Sequence, residues 1–252
     1  MGKMGGTKHL KRKPAPSFWP IHRKEYRWIV KPGVGPHGIA SLPLLVVLRD
    51  ILNVARTRRE VDVILGRRNV MIDGVVRCDD DYPLGLMDVM DIPALKKTYR
   101  ILPLPRKGLR PCGIGLDEKE FKLCKIVNKT TLNRGNVQLN LHDGRNQLIK
   151  VVDPKKPSED VYRTNDLLKM KLPSQEILGH LRFEPGVLAL VESGRNVGRW
   201  GEVVKLSEPN VHGSTAILRD SKGEDFETVV DYLFTIGKGK PWINLPVEEE
   251  TA

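Results

Sequence analysis

Between Leu44 and Asp91 the hydrophobic pattern changes period, and only a small mixed unit can accommodate that change. Leu44, Leu45, Leu48, Ile51, Leu52 and Ala55 follow the spacing of one buried helical face, while Arg49 and Arg56 fall off that stripe. Thr57 followed three residues later by Glu60 is a capping box, so a second helix is expected through Val61, Ile64 and Leu65, stopping at Gly66. Val70 and Ile72 then alternate into Asp73-Gly74, a dipeptide that tolerates positive φ at both turn positions, and Val75, Val76 and Cys78 return. The segment closes on Tyr82-Pro83-Leu84-Gly85. Two short helices followed by a β-hairpin are expected.

This unit is too small to hide its arginines. Arg49, Arg56, Arg58, Arg59, Arg67 and Arg68 are expected to converge on one side, where guanidinium groups grip phosphates bidentately. The plainer alternative is a solvated basic face on an ordinary helical core.

The whole chain carries the same bias. It has 252 residues, 40% hydrophobic and 29% charged, with a formal net charge of +11 and a sequence pI near 9.6. That is globular composition, enough for about two domains of ~100–200 residues. A polyanion is the expected partner, either nucleic acid or an anionic membrane. No run approaches the ~20 apolar residues of a membrane span, and Met1 to Lys13 has no hydrophobic core of the signal-peptide kind. A cytoplasmic location is therefore expected. Cys78, Cys112 and Cys124 match no paired metal-binding spacing and read as reduced structural thiols; no metal or cofactor is expected.

Residues 1–41 form a basic arm and linker. Up to Lys31 the arm has nine basic residues against the single acid Glu25. Pro14, Pro16 and Pro20 forbid continuous helix, so the arm is expected to order only on a partner. Trp19 can stack on an unpaired base or anchor in the core; Trp28, in the strand-like Tyr26 to Val30, is expected in the core. Gly33-Val34-Gly35-Pro36-His37-Gly38 has the G-x-G-x-x-G spacing, but Pro36 and Pro43 break the helix a dinucleotide site needs, and a turn is expected.

The module with the two helices and hairpin spans 42–104. A mostly-β domain at 105–180 follows, with strand-like pieces at Leu123 to Val127, Val137 to Leu141 and Leu148 to Val152, after Tyr99 to Leu104. Asn133 to Asn136 and His142-Asp143-Gly144-Arg145 read as turns, and Asp153 to Asp166 as an exposed loop. At 181–243, strands at Val187 to Val191, Trp200 to Leu206, Thr215 to Arg219, Phe226 to Val230 and Leu233 to Ile236 suggest a small closed barrel. An acidic tail occupies 244–252.

Catalytic patterns are missing. There is no G-x-S-x-G elbow, no H-E-x-x-H and no G-x-x-x-x-G-K-[ST] loop. Asp79-Asp80-Asp81 reads as a solvated bend that repels misplaced phosphate rather than a Mg²⁺ site. The turn Gly194 to Arg199 lacks a following helix, so Arg195 and Arg199 are candidates for RNA contact and Gly198 is a backbone requirement.

Ordered short motifs link the chain to a family. They are Lys8 to Arg12 with Trp19 behind, Gly35-Pro36-His37 before Leu42-Pro43-Leu44, Ile72-Asp73-Gly74 with Val76-Arg77, and Tyr82-Pro83 with Met87-Asp88-Val89. Lys122-Leu123-Cys124-Lys125, Asn196-Val197-Gly198-Arg199, and Ile236 to Gly239 leading to Lys240-Pro241-Trp242-Ile243 continue the series. Together they resemble the archaeal and eukaryotic small-subunit ribosomal protein family S4e over nearly the whole length.

The resemblance implies an α+β multi-domain protein. Its parts are the arm, an RNA-binding module of the type in bacterial ribosomal protein S4, a central β domain and a C-terminal SH3-like, KOW-type barrel. It implies ribosomal RNA and neighbouring small-subunit proteins as partners, with no membrane and no small-molecule substrate. Candidate RNA contacts are Lys3, Lys8, His9, Lys11, Arg12, Lys13 and Trp19 in the arm, the six arginines of the module, Arg195 and Arg199, and Lys238 and Lys240. The family's contacts carry over most directly to the arm cations and to Arg67 and Arg68. An end soon after Trp242, acidic rather than basic, leads us to expect an archaeal source. Two other readings stay open: an RNA-modifying enzyme that docks through the module, and a transcription factor with a KOW barrel.

Overall fold

The computed structural model describes residues 9–38, 41–151, 160–207 and 214–245. Lys3, Lys8, half of the expected 153–166 loop (residues 153–159) and most of the acidic tail lie outside them.

The arm folds, contrary to expectation. Strand β1 (Leu10–Lys11) pairs antiparallel with β2 (Trp28–Ile29), and Arg12 N–H donates to the Arg27 carbonyl at 3.1 Å. The loop between them is held by one side chain. The Arg23 guanidinium donates to the carbonyls of Arg12, Ala15 and Pro16 at 2.7, 3.2 and 2.6 Å, supplying the partners that helix or sheet would otherwise provide. Trp19 and Ala15 can then enter the first core, with Leu10, Phe18, Ile21, Ile29 and Val30 packed around it.

Strand β3 (Leu42–Pro43) leads directly into helix α1 (Leu44–Val46), which continues as a π-helical turn over Val47–Ile51. The expected one-sided helix is instead buried all round: every residue from Leu44 to Leu48 is at most 1% exposed. The arm covers the side that amphipathic reading left to solvent. Helix α2 (Arg58–Gly66) begins as expected, with the Thr57 hydroxyl accepting from Glu60 N–H at 3.3 Å and Glu60 accepting from Arg56 N–H at 2.8 Å. Its end differs. Arg68, at φ +58°, takes the left-handed position, one the sequence reading assigned no residue beyond Gly66.

Strands β4 (Met71–Ile72) and β5 (Val75–Val76) form the expected hairpin, with Ile72 opposite Val75 and positive φ at Asp73 and Gly74. Strand β6 (Pro83–Leu84) pairs with β3. Strands β7 (Val89–Ile92), β8 (Lys97–Leu104) and β9 (Gly108–Gly113) complete a five-stranded sheet in the order β5-β4-β7-β8-β9. That sheet runs past residue 104, where the sequence reading ended the module. Gly33 to Gly38 is irregular, without the helix of a dinucleotide site; Gly33 N–H donates to the Asp81 carbonyl at 2.8 Å.

Strand β10 (Phe121–Thr131) is the centre of a second sheet with β11 (Val137–Leu141), β12 (Asn146–Ile149), β13 (Leu167–Lys171) and β14 (Ile177–Leu181), ordered β12-β11-β10-β13-β14. The third sheet comprises β15 (Val187–Val191), β16 (Trp200–Leu206), β17 (Thr215–Arg219), β18 (Asp225–Val229), β19 (Leu233–Lys238) and β20 (Lys240–Pro241). Its order is β18-β17-β16-β15-β19-β20, and all pairings are antiparallel.

The architecture is mostly β, with several sheets and few helices. One apolar cluster joins all three large sheets: Leu102 from the first, with Leu86 from the turn before β7, Phe121 and Leu167 from the second, Phe234 and Ile236 from the third. Gly198, at φ +83°, sits so close to Leu104 and Pro105 that a Cβ would fall 2.4 Å from the Pro105 nitrogen. Its backbone role is thereby met. Among the described residues no helix is long and apolar enough to cross a membrane.

Candidate nucleic-acid interface

The expected arginine patch divides in two. Arg49, Arg56 and Arg58 line one cleft against the arm, whereas Arg67 and Arg68 follow the far end of the nine-residue α2. At 1.5 Å per residue the ends of that helix are about 13 Å apart. Arg49 donates to Asp50 at 2.7 and 2.9 Å, and Arg58 pairs with Asp80 at 2.7 Å. Asp80 is thus half-buried and engaged, which corrects the reading of Asp79-Asp80-Asp81 as a simple solvated bend. Arg56, Arg59, Arg67 and Arg68 are exposed and make no ion pair among the described residues. Arg67 and Arg68 also lie at the negative end of the helix dipole, where cations are favoured.

The two arm tryptophans exchange places relative to expectation. Trp19 is 3% exposed, so both ring faces belong to the core and it is not an RNA-stacking side chain in this structure. Trp28 is 50% exposed, with His9 against it at 5.4 Å and the cations of Lys11 and Arg27 over its ring at 5.8 and 5.2 Å. In the two-residue strand β2 it points away from the core that takes Ile29, a choice no local pattern encodes. His9, Lys11 and Lys13 are exposed; Arg12 is half-buried and donates to the Lys24 carbonyl at 3.0 Å.

At the other end of the molecule, Arg195 is exposed, and Lys238 and Lys240 are exposed partners across the turn at Gly239. Arg199 is already occupied: it reaches Asp220 at 3.2 Å and Glu224 at 3.4 Å and lies over the Phe226 ring at 4.3 Å.

A second polar group was not anticipated. Lys122, 1% exposed near the start of β10, holds three carboxylates: Asp88 at 2.5 Å, Asp73 at 2.9 Å and Asp143 at 3.0 Å. Arg145 bonds Asp73 at 2.6 Å, His37 meets Asp88 at 3.0 Å, and Asp88 accepts from Gly85 N–H at 2.8 Å. Burial alone would raise the pKa of Asp88, but Lys122 and His37 hold it well below the usual carboxylate range. These residues come from the linker, the hairpin, β10 and the turn after β11, and several belong to the motifs that carried the family resemblance. The signal was there: acids and one lysine set among apolar residues in motifs with no catalytic pattern.

Beside this network Cys124, His142 and Asp143 bring three ligand atoms within 4.8 Å of one another. Their chemistry does not suit a metal. The Lys122 ammonium already occupies the cation position at Asp143, and burial pushes the Cys124 thiol well above the usual thiol range. His142 uses both ring nitrogens, accepting from Lys125 N–H at 3.3 Å and meeting the Leu86 carbonyl at 3.2 Å. The Asp166 end of the expected exposed loop is buried as well, with its carboxylate bound to His180 at 2.7 Å and to Phe183 N–H at 3.0 Å.

Comparison with known proteins places this geometry in a family. Residues 4–40 match the RS4NT (NUC023) domain, and residues 95–177 match ribosomal family S4e. The small ribosomal subunit protein eS4 of Desulfurococcus amylolyticus is 48% identical over 248 residues, 98% of each chain. That of Methanothermobacter thermautotrophicus is 45% identical over 252 residues, covering 98% of this chain and 99% of the relative. The crystal structure of the 30S ribosomal protein S4e from Thermoplasma acidophilum superposes with a TM-score of 0.65 at 26% identity, covering 79% of this chain and 96% of that one. With relatives this similar over nearly their full length, the chain belongs to ribosomal family S4e.

Proposed function

We propose that this protein is a structural, non-catalytic constituent of the small ribosomal subunit, fixed to ribosomal RNA in the cytoplasm by its exposed cations and flanked by other small-subunit proteins. One observation carries the reading. Buried Lys122 and half-buried Arg145 are matched by carboxylates inside the protein, whereas Lys11, Lys13, Arg56, Arg59, Arg67, Arg68, Arg195, Lys238 and Lys240 are exposed and make no ion pair among the described residues. Unmatched surface cations on a chain of net charge +11 gain most from a dense polyanion, where each phosphate contact releases counterions. The names of the relatives, small ribosomal subunit protein eS4, point to which polyanion. Arg49, Arg58 and Arg199 contribute less in this reading, because their carboxylate partners must first be displaced.

The arm at 1–41, the module at 42–104, the central domain at 105–180 and the third sheet at 181–243 serve as separate faces toward folded RNA. The third sheet, an antiparallel six-stranded sheet in which the first strand β15 lies beside β19, fits a KOW-type, SH3-like barrel. An archaeal source agrees with the relatives named above.

Fractionation of cells tests the proposal. The protein should sediment with small subunits and leave them only in high salt. Sedimentation with RNA polymerase would favour a transcription factor, and protein-dependent base changes on incubated ribosomal RNA would favour an enzyme.

A further inference from the structure

A cleft of about 680 Å³ lies between the arm and the helical module. The arm lines it with His22, Tyr26 and Trp28, and the module with Arg49, Arg56 and Arg58. Its volume is that of a small-ligand pocket. Two of its walls are unusual: Tyr26 is 63% and Trp28 50% exposed. Large rings left open to water beside cations are out of place in a protein that buries Trp19 to 3%. Of the two acids of the cleft, Asp50 is held by Arg49 at 2.7 Å, and Glu25 is exposed with His22 at 3.7 Å, set against the three arginines Arg49, Arg56 and Arg58. What remains available is aromatic surface and positive charge.

We infer that this cleft receives one unpaired nucleotide of the RNA, its base stacked against Tyr26 and Trp28 and its phosphate held by Arg56 and Arg58. The inference rests on the proposed RNA-binding function and names what this part of the surface reads. Paired bases in an A-form helix keep their faces in the stack, so open aromatic rings can engage only a base that has left it. Arg56 is exposed and ready to meet a phosphate; Arg58 would share its charge with Asp80. The site therefore distinguishes single-stranded RNA from helix without needing a particular base.

The test uses the full chain labelled with 5-fluorotryptophan. Its four tryptophans give four ¹⁹F resonances, and Trp28→Phe assigns one of them. A uridine pentanucleotide should shift the Trp28 resonance, and a blunt-ended RNA duplex supplied at the same phosphate concentration should leave it in place. Tyr26→Leu and Trp28→Leu should each weaken pentanucleotide binding about tenfold while the salt dependence stays the same. Arg56→Gln should instead lower the slope of log K against log salt by about 0.7. Both aromatic positions are exposed, and unchanged melting of these variants confirms that the fold survives. A Trp28 resonance that ignores the pentanucleotide, or answers the duplex equally, overturns the inference. So do aromatic variants that bind like the parent. If the protein then still binds ribosomal RNA, the proposed function stands and only the cleft reading falls; if it binds no RNA, both fall.

Discussion

Lys122 and Arg67 are both cations, and they do opposite work. Lys122 is desolvated and enclosed by three carboxylates, so its charge is cancelled within a few ångströms. Arg67 and Arg68 stand in water with no ion pair among the described residues, and their field extends to whatever approaches. Arg100 is buried too, but less fully matched: it is 0% exposed, donates to the Phe121 carbonyl at 3.1 Å, has its nearest carboxylate, Glu118, at 3.8 Å, and has its pKa lowered to about 10 by desolvation. Composition counts these groups alike. The difference shows that a high net charge says little about which cations face a partner; that is decided by where the protein placed its acids.

The sharpest way to break the contrast is Lys122→Met, which leaves three carboxylates facing one another in a desolvated site. A loss of about 3–5 kcal/mol is expected in urea unfolding, the usual cost of stripping one member from a buried ion pair. A loss below about 1 kcal/mol would mean the network is wet and the contrast false. Salt acts on the other side. If about five arm cations meet phosphates, at ~0.7–0.9 log unit per contact, a fourfold rise in salt should weaken ribosomal RNA binding roughly a hundredfold or more. The unfolding midpoint should barely respond. Next in size is the pair Arg67→Ala and Arg68→Ala, expected to reduce RNA affinity about tenfold and flatten the salt slope by about 1.4–1.8, with stability held within about 0.5 kcal/mol. A changed melting point with unchanged affinity would assign both arginines to the helix end instead.

Acid probes the buried side alone. Desolvation, helped by Lys122, lowers the His142 pKa from 6.5 to about 4, so between those values the unfolded chain binds the extra proton. Stability should therefore decline as pH falls from about 6.5 to 4, and His142→Asn should remove that decline. Asp88 and Asp143 are depressed below their ordinary 3.8 in the folded protein. Their contribution is present above that value and is lost as pH drops through the lower, folded one. Urea midpoints measured across this range separate the two steps.

Local chemistry was readable in the sequence and reach was not. Asp73-Gly74 specified its hairpin and register because the turn geometry depends on those two residues alone. Thr57 and Glu60 likewise started α2, and the third sheet's strands at Val187–Val191, Trp200–Leu206 and Thr215–Arg219 fell where alternation placed them. Phe121 to Ile126 shows the limit. Lys122 and Lys125 fall on opposite faces of the strand, as in one wet on both sides, yet all six residues are buried because other parts of the chain cover both faces. The same blindness exchanged Trp19 and Trp28, since the arm's fold depends on a guanidinium four residues beyond Trp19. Strand β13 escaped notice because its partner β10 is distant in sequence, and β14, which pairs with β13 alone, went with it, as did the Lys122 network.

The Arg23 clamp has a consequence for how such a segment is used. A strongly cationic stretch normally stays unstructured until an anion arrives, and part of the association energy then goes into fixing its backbone. Here three carbonyls are already satisfied by one arginine, and the loop from Arg12 to Arg23 is prefabricated. The arm can therefore recognise shape on first encounter, early in assembly, with little loss of chain entropy left to offset.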